Sequence, residues 1–538
     1  MRNFVILVLL VFCQSMFAGL RTESRMRKIA ASKLMGSAKA ASEINVLKST
    51  PSYNIYGKGN GKKGFVIVST NDNATPVLGY SSTEYIEGEM PPAFKCWLKA
   101  VEASSFSQEV TTTYKATPNF LPSTWGQRDP FNYLCPEIDG VKVPCGCVAT
   151  AMSQIMYYYQ YPSHGVGNGY YTFGDALSAR YPDEIKGIYQ WEMMKPKYSS
   201  STITEEERLA VAVLLKDAGL ATYMQYASDG SGAAVNDAAL AFINNFSYDA
   251  NTICYMLKDF YTNVEWNNII YEELAAQRPI LVGGQDPVSG GHAFVFSGVD
   301  EDGKVYVNWG WNGSGDGFYE ITALNPPSSS GSGNTFAFNF DNEMICGIQP
   351  AQSEPDESLR YSIWACKEPF VAEYQKIRNW LKVKTSLIYN ISMYPFTGEI
   401  KLYCESVDGD ETKDKSYTFL DFSQDVFPYG YGSSDETKTI KTTDLDPGKY
   451  YIYLISQAVG ESSPQKVRSS GGLIIRYIMT KVASGQLTIE DDDALITRIE
   501  SQSATYPSSS AIYDLSGRRI QNPTKGIYIV DEKKIVTK

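Results

Sequence analysis

Histidine is almost missing from this chain: its 538 residues contain two, His164 and His292. With so few imidazoles a metal centre is poorly supplied, and paired CxxC elements at zinc-binding spacing are absent as well. No metal or organic cofactor is expected. Basic surplus is missing too. Lys plus Arg number 48 against 60 Asp plus Glu, a net charge of −12, which argues against nucleic acid as a partner because nothing is left over to neutralise phosphates. Past the N-terminus no stretch approaches a transmembrane length, and no internal repeat of fixed period appears. The nine cysteines are spread over hundreds of residues, unlike the dense framework of a small disulfide-rich scaffold. Leaving out Cys13 makes eight, an even count that permits disulfides without giving their connectivity.

What is present is globular material, 43% hydrophobic and 20% charged, long enough for three or four domains. The 38 tyrosines and 43 glycines suggest much β structure. The opening MRNFVILVLLVFCQSMFAGL has Arg2, an apolar core from Phe4 to Phe12, and small residues at Ala18 and Gly19. It is too short to span a bilayer and has the layout of a secretory signal peptide over residues 1–18. Cys13 raises a lipoprotein alternative, but bulky Phe12 before it suits lipidation poorly. The protein is therefore expected to be secreted or held at the cell surface.

From about Arg21 to Lys115 the sequence reads as a separate unit. A basic, Ala-rich helical stretch leads into the strand–turn–strand GFVIVSTNDNATPVLGYSS, and a helix around PPAFKCWLKAVEAS closes it. The polar TTTYKATPNF that follows looks like a protease-accessible linker. Between Leu121 and about Pro350, helical runs (CVATAMSQIMYYY, EEERLAVAVLLKDAGLA, NDAALAFINNF) precede strands (PILVGGQ, HAFVFSGV, KVYVNWGW, GFYEIT), an α+β order. Short strands with turn punctuation then suggest a β-sandwich, and a Ser/Asp-rich break around SGQLTIEDDD leads to a last small unit.

In VPCGCVATAMSQIMYYYQYPSHG, the apolar residues Val148, Met152, Ile155, Met156 and Tyr159 recur at helical spacing, which puts Cys147 at a helix N-terminus. Free N–H groups and the positive dipole end there favour a thiolate. Taken alone, such a cysteine is more often core filler. His292 changes the balance. It opens the strand HAFVFSGV, which turns at Glu301-Asp302-Gly303 and returns as KVYVNWGWNG, so a hairpin brings Asn308 back within a residue or two of the imidazole. Thiol, imidazole and orienting amide make a nucleophile–base–orienter set, with Trp309 and Trp311 placed to keep water off it. Gln127, 20 residues before Cys147, is a candidate side-chain donor to a tetrahedral oxyanion beside the Cys147 N–H.

Together, WGQ…GCVATAMSQIMYYYQYP…GGHAFVFSGV…VNWGWNGSGDGFYEITALNP resembles the streptopain family of secreted, papain-like cysteine peptidases. The resemblance spans roughly residues 21 to 350 and takes in the propeptide-like segment. It implies a two-lobed papain-like α+β fold with Cys147 as nucleophile, His292 as general base and then acid, Asn308 orienting the imidazole and Gln127 serving the oxyanion. Ser231, Gly291 and Trp309 fall at substrate-binding positions, and His292 is preferred over His164, which sits in the loop after the Cys147 helix. Cys145 has no catalytic counterpart, and a disulfide to Cys135 is the expected use for it. The tail IYDLSGRRI…KGIYIVDEKKIVTK is similar to C-terminal sorting domains of the type IX secretion system.

The expected order is thus signal peptide 1–18, propeptide 19–118, papain-like peptidase 119–350, all-β sandwich 351–482 and sorting domain 483–538. The expected function is a zymogen endopeptidase that cuts protein substrates through a thioester acyl-enzyme. Its partners are those substrates, its own propeptide as intramolecular inhibitor and the secretion machinery. Two rivals are an adhesin built on a peptidase scaffold and an acyl-transferring enzyme of the same fold.

Overall fold

The computed structural model describes residues 19–103, 114–174, 179–199, 202–286, 290–321, 339–352, 363–366, 370–375, 380–461 and 463–492, and four short strands between 512 and 537. The expected signal peptide at 1–18, residues 104–113 with the first part of the expected linker, and residues 493–511 lie outside the described residues.

Helix α1 (Glu23–Met35) starts where Thr22 accepts the Arg25 N–H and stops at Gly36, whose φ of 67° suits glycine. Strands β1 (Ile44–Ser49), β2 (Tyr53–Lys58), β3 (Phe65–Ser69) and β4 (Val77–Ser81) follow, then helix α2 (Pro92–Ala103). The next unit opens with α3 (Cys147–Tyr159), α4 (Glu205–Ala221) and α5 (Val235–Asn244), the three helices expected from apolar spacing. Strand β5 (Cys254–Leu257) comes next, and then α6 (Asn263–Ala275), a helix the sequence reading missed. Both α4 and α6 begin with a capping box, Thr204 with Glu207 and Thr262 with Glu265. The other strands that this unit gives to its main sheet are β6 (Ile280–Asp286), β7 (Gly290–Val299), β8 (Val305–Asn308), β9 (Gly317–Tyr319) and β10 (Asn339–Cys346).

All ten strands join one antiparallel sheet in the order β1-β2-β3-β4-β9-β8-β7-β6-β10-β5. The N-terminal unit is therefore no detached bead. Its last strand pairs with β9, Phe318 opposite Tyr80 and Tyr319 opposite Gly79. At this seam a Cβ on Gly317 would sit 2.2 Å from the Tyr80 carbonyl oxygen, so only glycine lets the two strands approach.

Alternation along the strands gives the sheet two cores. Leu281, Ala293, Val295 and Ile345 face α3, α4 and α5. Ile280, Val282, Phe294, Phe296, Val305 and Val307 face the other way, against Trp266 and Ile270 of α6 and against Phe94, Trp97 and Leu98 of α2. The Trp97 ring lies 4.8 Å from that of Tyr319, and its Nε1 donates to the Glu320 carbonyl at 3.0 Å. Burying each such side chain contributes roughly 1.5–3 kcal/mol, so several from the N-terminal unit bind it firmly to the rest.

Beyond this body, strands such as Gly398–Ser406 and Gly448–Ala458 enclose a core of Trp364, Leu381, Ile400, Leu402, Phe419 and Ile452, the expected sandwich. Leu487–Asp491 lies in the stretch expected to be a break, yet pairs with Tyr477–Lys481 and continues the sandwich sheet past position 482. Its alternating Leu487, Thr488, Ile489 and Glu490 give one face to the core, and this pattern outweighs the run of acidic residues after it. The sandwich docks on the body through Arg468, which lies 4.1 Å over the Tyr261 ring and donates to the Phe260 carbonyl at 2.8 Å. Strands Arg519–Ile520, Ile512–Asp514, Gly526–Val530 and Lys533–Thr537 form a separate antiparallel sheet, in that order.

Trp97→Ala in the full-length chain is expected to cost about 3–5 kcal/mol of stability. It should appear as a lower urea midpoint at unchanged slope; an unchanged midpoint means the N-terminal unit does not unfold together with the sheet it extends.

Candidate active site

Cys147 begins α3, as its sequence spacing requires. Gly146 before it takes φ 92°, and a Cβ there would lie 2.6 Å from the Met224 sulfur and 3.1 Å from the Ser231 carbonyl. The turn into the helix thus needs glycine, and Ser231, itself buried, is brought beside the nucleophile's loop. The backbone N–H groups of Ala293, Val148 and Cys147 face the sulfur. Since Ala293 follows His292 in β7, this contact ties the thiol to the histidine strand from the other side of the interface. Burial pushes the Cys147 thiol up, and those N–H groups oppose the rise without cancelling it. Expected from sequence was a helix start that favours thiolate; in this form desolvation wins.

Gln127 is half-buried and its backbone carbonyl accepts the Cys145 N–H at 2.9 Å, which fixes it against the loop before Cys147. Gly291 is exposed at the start of β7, opposite Gln285. His164 is exposed beyond the far end of α3, bonded through Nδ1 to the Ser163 hydroxyl at 3.0 Å. At ~1.5 Å per residue the 13-residue helix holds it well away from Cys147.

Asn308 departs from expectation. The β7–β8 register sets it opposite Val295, three residues past His292 rather than one or two. Its side chain is fully buried. Nδ2 donates to the Ser123 carbonyl at 2.8 Å and to Gln154 Oε1 at 3.1 Å. Oδ1 accepts from Gly310 N at 3.0 Å and from Gln154 Nε2 at 3.0 Å. An amide has two donor hydrogens and two lone pairs, and all four are engaged with groups on the α3 side of the sheet. Asn308 thus anchors β8 to α3. Trp309, the next residue, points to the opposite face, where its ring lies 5.4 Å from Phe294. Trp309 is 2% exposed and packs 5.9 Å from Phe94 of the N-terminal unit, so substrate cannot touch it in this form. Trp311 is the exposed indole of the pair, at 37%.

The disulfide expected between Cys135 and Cys145 is not formed; both are free, buried thiols. The Cys145 sulfur lies 3.4 Å from the Thr150 hydroxyl, that of Cys135 3.9 Å from the Tyr226 hydroxyl. Burial raises the Cys145 thiol well above its ordinary value, so of the two neighbours in CGC it is the inert one.

Two buried polar residues escaped the sequence reading. Gln154 is one; the signal available was a polar residue inside an apolar helical run, seven positions after Cys147 and so on its face of the helix. Asp316 is the other. Its Oδ1 accepts the Trp309 N–H at 2.9 Å and Oδ2 has no hydrogen-bond partner. Burial pushes its carboxyl up to about 7, and the Ser81 hydroxyl of β4 reaches its backbone carbonyl at 2.5 Å.

Comparison with known proteins bears on this arrangement. Residues 125–319 match the family model of the peptidase C10 family, and residues 20–104 match that of the Spi protease inhibitor. Streptopain of Streptococcus pyogenes is 30% identical over 317 residues, 53% of this chain and 78% of streptopain. The chain belongs to the peptidase C10 family of cysteine peptidases. Thiol protease/hemagglutinin PrtT of Porphyromonas gingivalis is 27% identical over 471 residues, and this chain spans about half that relative's length, 52%. Among solved structures, a cysteine-to-alanine mutant of a prointerpain A fragment from Prevotella intermedia is 32% identical with a TM-score of 0.51, covering 58% of this chain and 99% of that one. The N-terminal unit is accordingly a propeptide-like inhibitor domain, and no helix among the described residues is long and apolar enough to cross a membrane.

Asp316 gives a pH dependence with a definite sign. A carboxyl raised by folding adds stability below its unfolded value of about 3.9, and that stability is lost as pH rises through about 7. Thermal unfolding of the Asp316→Asn chain should therefore gain on wild type from about pH 4 to about pH 7 and hold a constant difference above. A difference independent of pH rejects the buried-carboxyl account.

Proposed function

We propose that this chain is the zymogen of an exported cysteine endopeptidase acting through a thioester acyl-enzyme. The observation that carries the reading is Cys147 at the start of α3 with the Ala293 N–H, and hence the His292 strand, at its sulfur. His292 takes the Cys147 proton, and the thiolate attacks the substrate carbonyl carbon. The Cys147 N–H and the Gln127 amide hold the oxyanion. His292 then protonates the leaving amine, and a water activated by the same imidazole releases the acyl group. Asn308 acts as a positioning residue that holds β8 against the nucleophile helix. Ser231 and Gly291 flank the cleft as substrate contacts, and Trp309 joins them only once Phe94 has left.

The propeptide restrains the enzyme by extending its sheet and packing on Trp309 and Tyr319, and maturation cuts in the linker between about Val110 and Leu121. The signal peptide directs export, and the C-terminal strands serve the secretion machinery as a sorting domain. One observation favours a second activity: the match to a relative named both thiol protease and hemagglutinin covers 82% of this chain and so runs beyond the peptidase domain into the sandwich. Cell agglutination retained by the Cys147→Ala protein would assign binding to the β-domains; agglutination lost together with proteolysis would not.

Cys147→Ala is expected to abolish hydrolysis of a denatured protein and to accumulate as an uncut chain, whereas Cys145→Ala keeps most activity. The reverse pattern overturns the assignment of the pair. Wild type should cut itself between about Val110 and Leu121, read by N-terminal sequencing; full activity with the propeptide still attached rejects the zymogen. Gln127→Ala is expected to lower turnover about 100- to 1,000-fold with little change in KM, and an unchanged rate removes Gln127 from the oxyanion site.

A further inference from the structure

Gln154 is completely buried on α3, two turns below Cys147 and on the same face of the helix. Its Oε1 accepts from the Ser123 hydroxyl at 3.0 Å, from the Trp125 N–H at 3.0 Å and from Asn308 Nδ2 at 3.1 Å. Its Nε2 donates to Asn308 Oδ1 at 3.0 Å. Backbone groups fix the orientation of both amides. The Trp125 N–H can only donate, which requires the Gln154 oxygen, and the Gly310 N–H likewise requires the Asn308 oxygen. With Asn308, its partner on the hairpin, Gln154 joins the three parts of the site: the nucleophile helix, the loop leading to Gln127, and the hairpin strand beside the His292 strand.

We propose that Gln154 is the positioning residue of this peptidase, setting the Gln127 loop and the β7–β8 hairpin in register with the Cys147 helix. The inference rests on the cysteine-peptidase reading and deepens it. Nothing else offers the Trp125 N–H an acceptor where it is buried, and an unpaired buried amide relaxes by moving. Such movement carries Gln127, two residues on, away from the oxyanion. Loss of the Asn308 pair lets β8, and with it the His292 strand, slide over α3. Displacements of about 1 Å are enough to cost on the order of a hundredfold in rate without affecting distant substrate contacts.

Two measurements on protein processed by immobilised wild-type enzyme test this. Gln154→Met, of similar length and apolar, is expected to lower kcat between about tenfold and a hundredfold with KM within about twofold. Gln154→Glu, which keeps the oxygen that Trp125 and Ser123 need, should recover part of the loss. In parallel, alkylation of Cys147 by iodoacetamide is followed against pH. Wild type should show one defined pH profile of alkylation, and Gln154→Met should shift it, because the groups that meet the sulfur then no longer hold the same geometry. A variant that loses only thermal stability, with kcat and the alkylation profile unchanged, overturns the proposal. If Gln154→Met does not fold, Ser123→Ala, which deletes one donor, decides it: a smaller fall in kcat at constant KM supports the proposal and an unchanged kcat rejects it. Wild type that fails to cleave protein would defeat the peptidase reading, while the alkylation profiles would still report on the positioning.

Discussion

The pairing of β4 with β9 is the contact from which the form of this molecule follows. An antiparallel sheet left open at β9 would present unpaired backbone groups and a face of large aromatic side chains to water. Val77–Ser81 supplies the missing strand, Gly317 permits the close approach, and α2 lays Phe94 and Trp97 over the face. Propeptide and peptidase thereby share one hydrophobic core, and the inhibitor-like unit is built in as part of the sheet. A single cut in the linker removes a covalent tether but none of this buried area, so release of the propeptide has to overcome several large apolar side chains at once.

Chemical restraint is coupled to the same packing. The thiol of Cys147 is raised by burial although three N–H groups face it, and Trp309, on the face of the sheet away from α3, lies under Phe94. Removing the propeptide lets water reach the aromatic side of the hairpin. Asp316, buried under the seam with one oxygen unpartnered, makes that seam sensitive to proton concentration, because an ionised carboxylate there lacks both water and a counter-charge. The opposite face is held differently, by a buried amide pair in which every side-chain oxygen and nitrogen has a partner.

Much of the fold was legible from local pattern. Apolar spacing in CVATAMSQIMYYY, EEERLAVAVLLKDAGLA and NDAALAFINNF gave three helices close to their ends, and the Glu301-Asp302-Gly303 turn does join two paired strands. Helix α6 escaped because its polar residues obscure the stripe formed by Trp266, Ile270 and Leu274. Leu487–Asp491 was hidden in a run of acids although alternation marks it as a strand. The free thiols of Cys135 and Cys145 were beyond reach, since sequence proximity says nothing about which way two buried sulfurs point.

By itself the sequence determined where helices and turns begin, which cysteine heads a helix, and which of two histidines stands on the hairpin, because each depends on neighbours within a few residues. Only the tertiary structure decided on which side of the sheet each hairpin residue falls. Strand side chains alternate, so a shift of one residue in register exchanges the two faces. With Val295 opposite Asn308, the asparagine turns toward α3 and meets Gln154, and Trp309 turns toward Phe294 and the propeptide. That choice is made by long-range pairing and by packing on both faces, and no local stretch of sequence contains it.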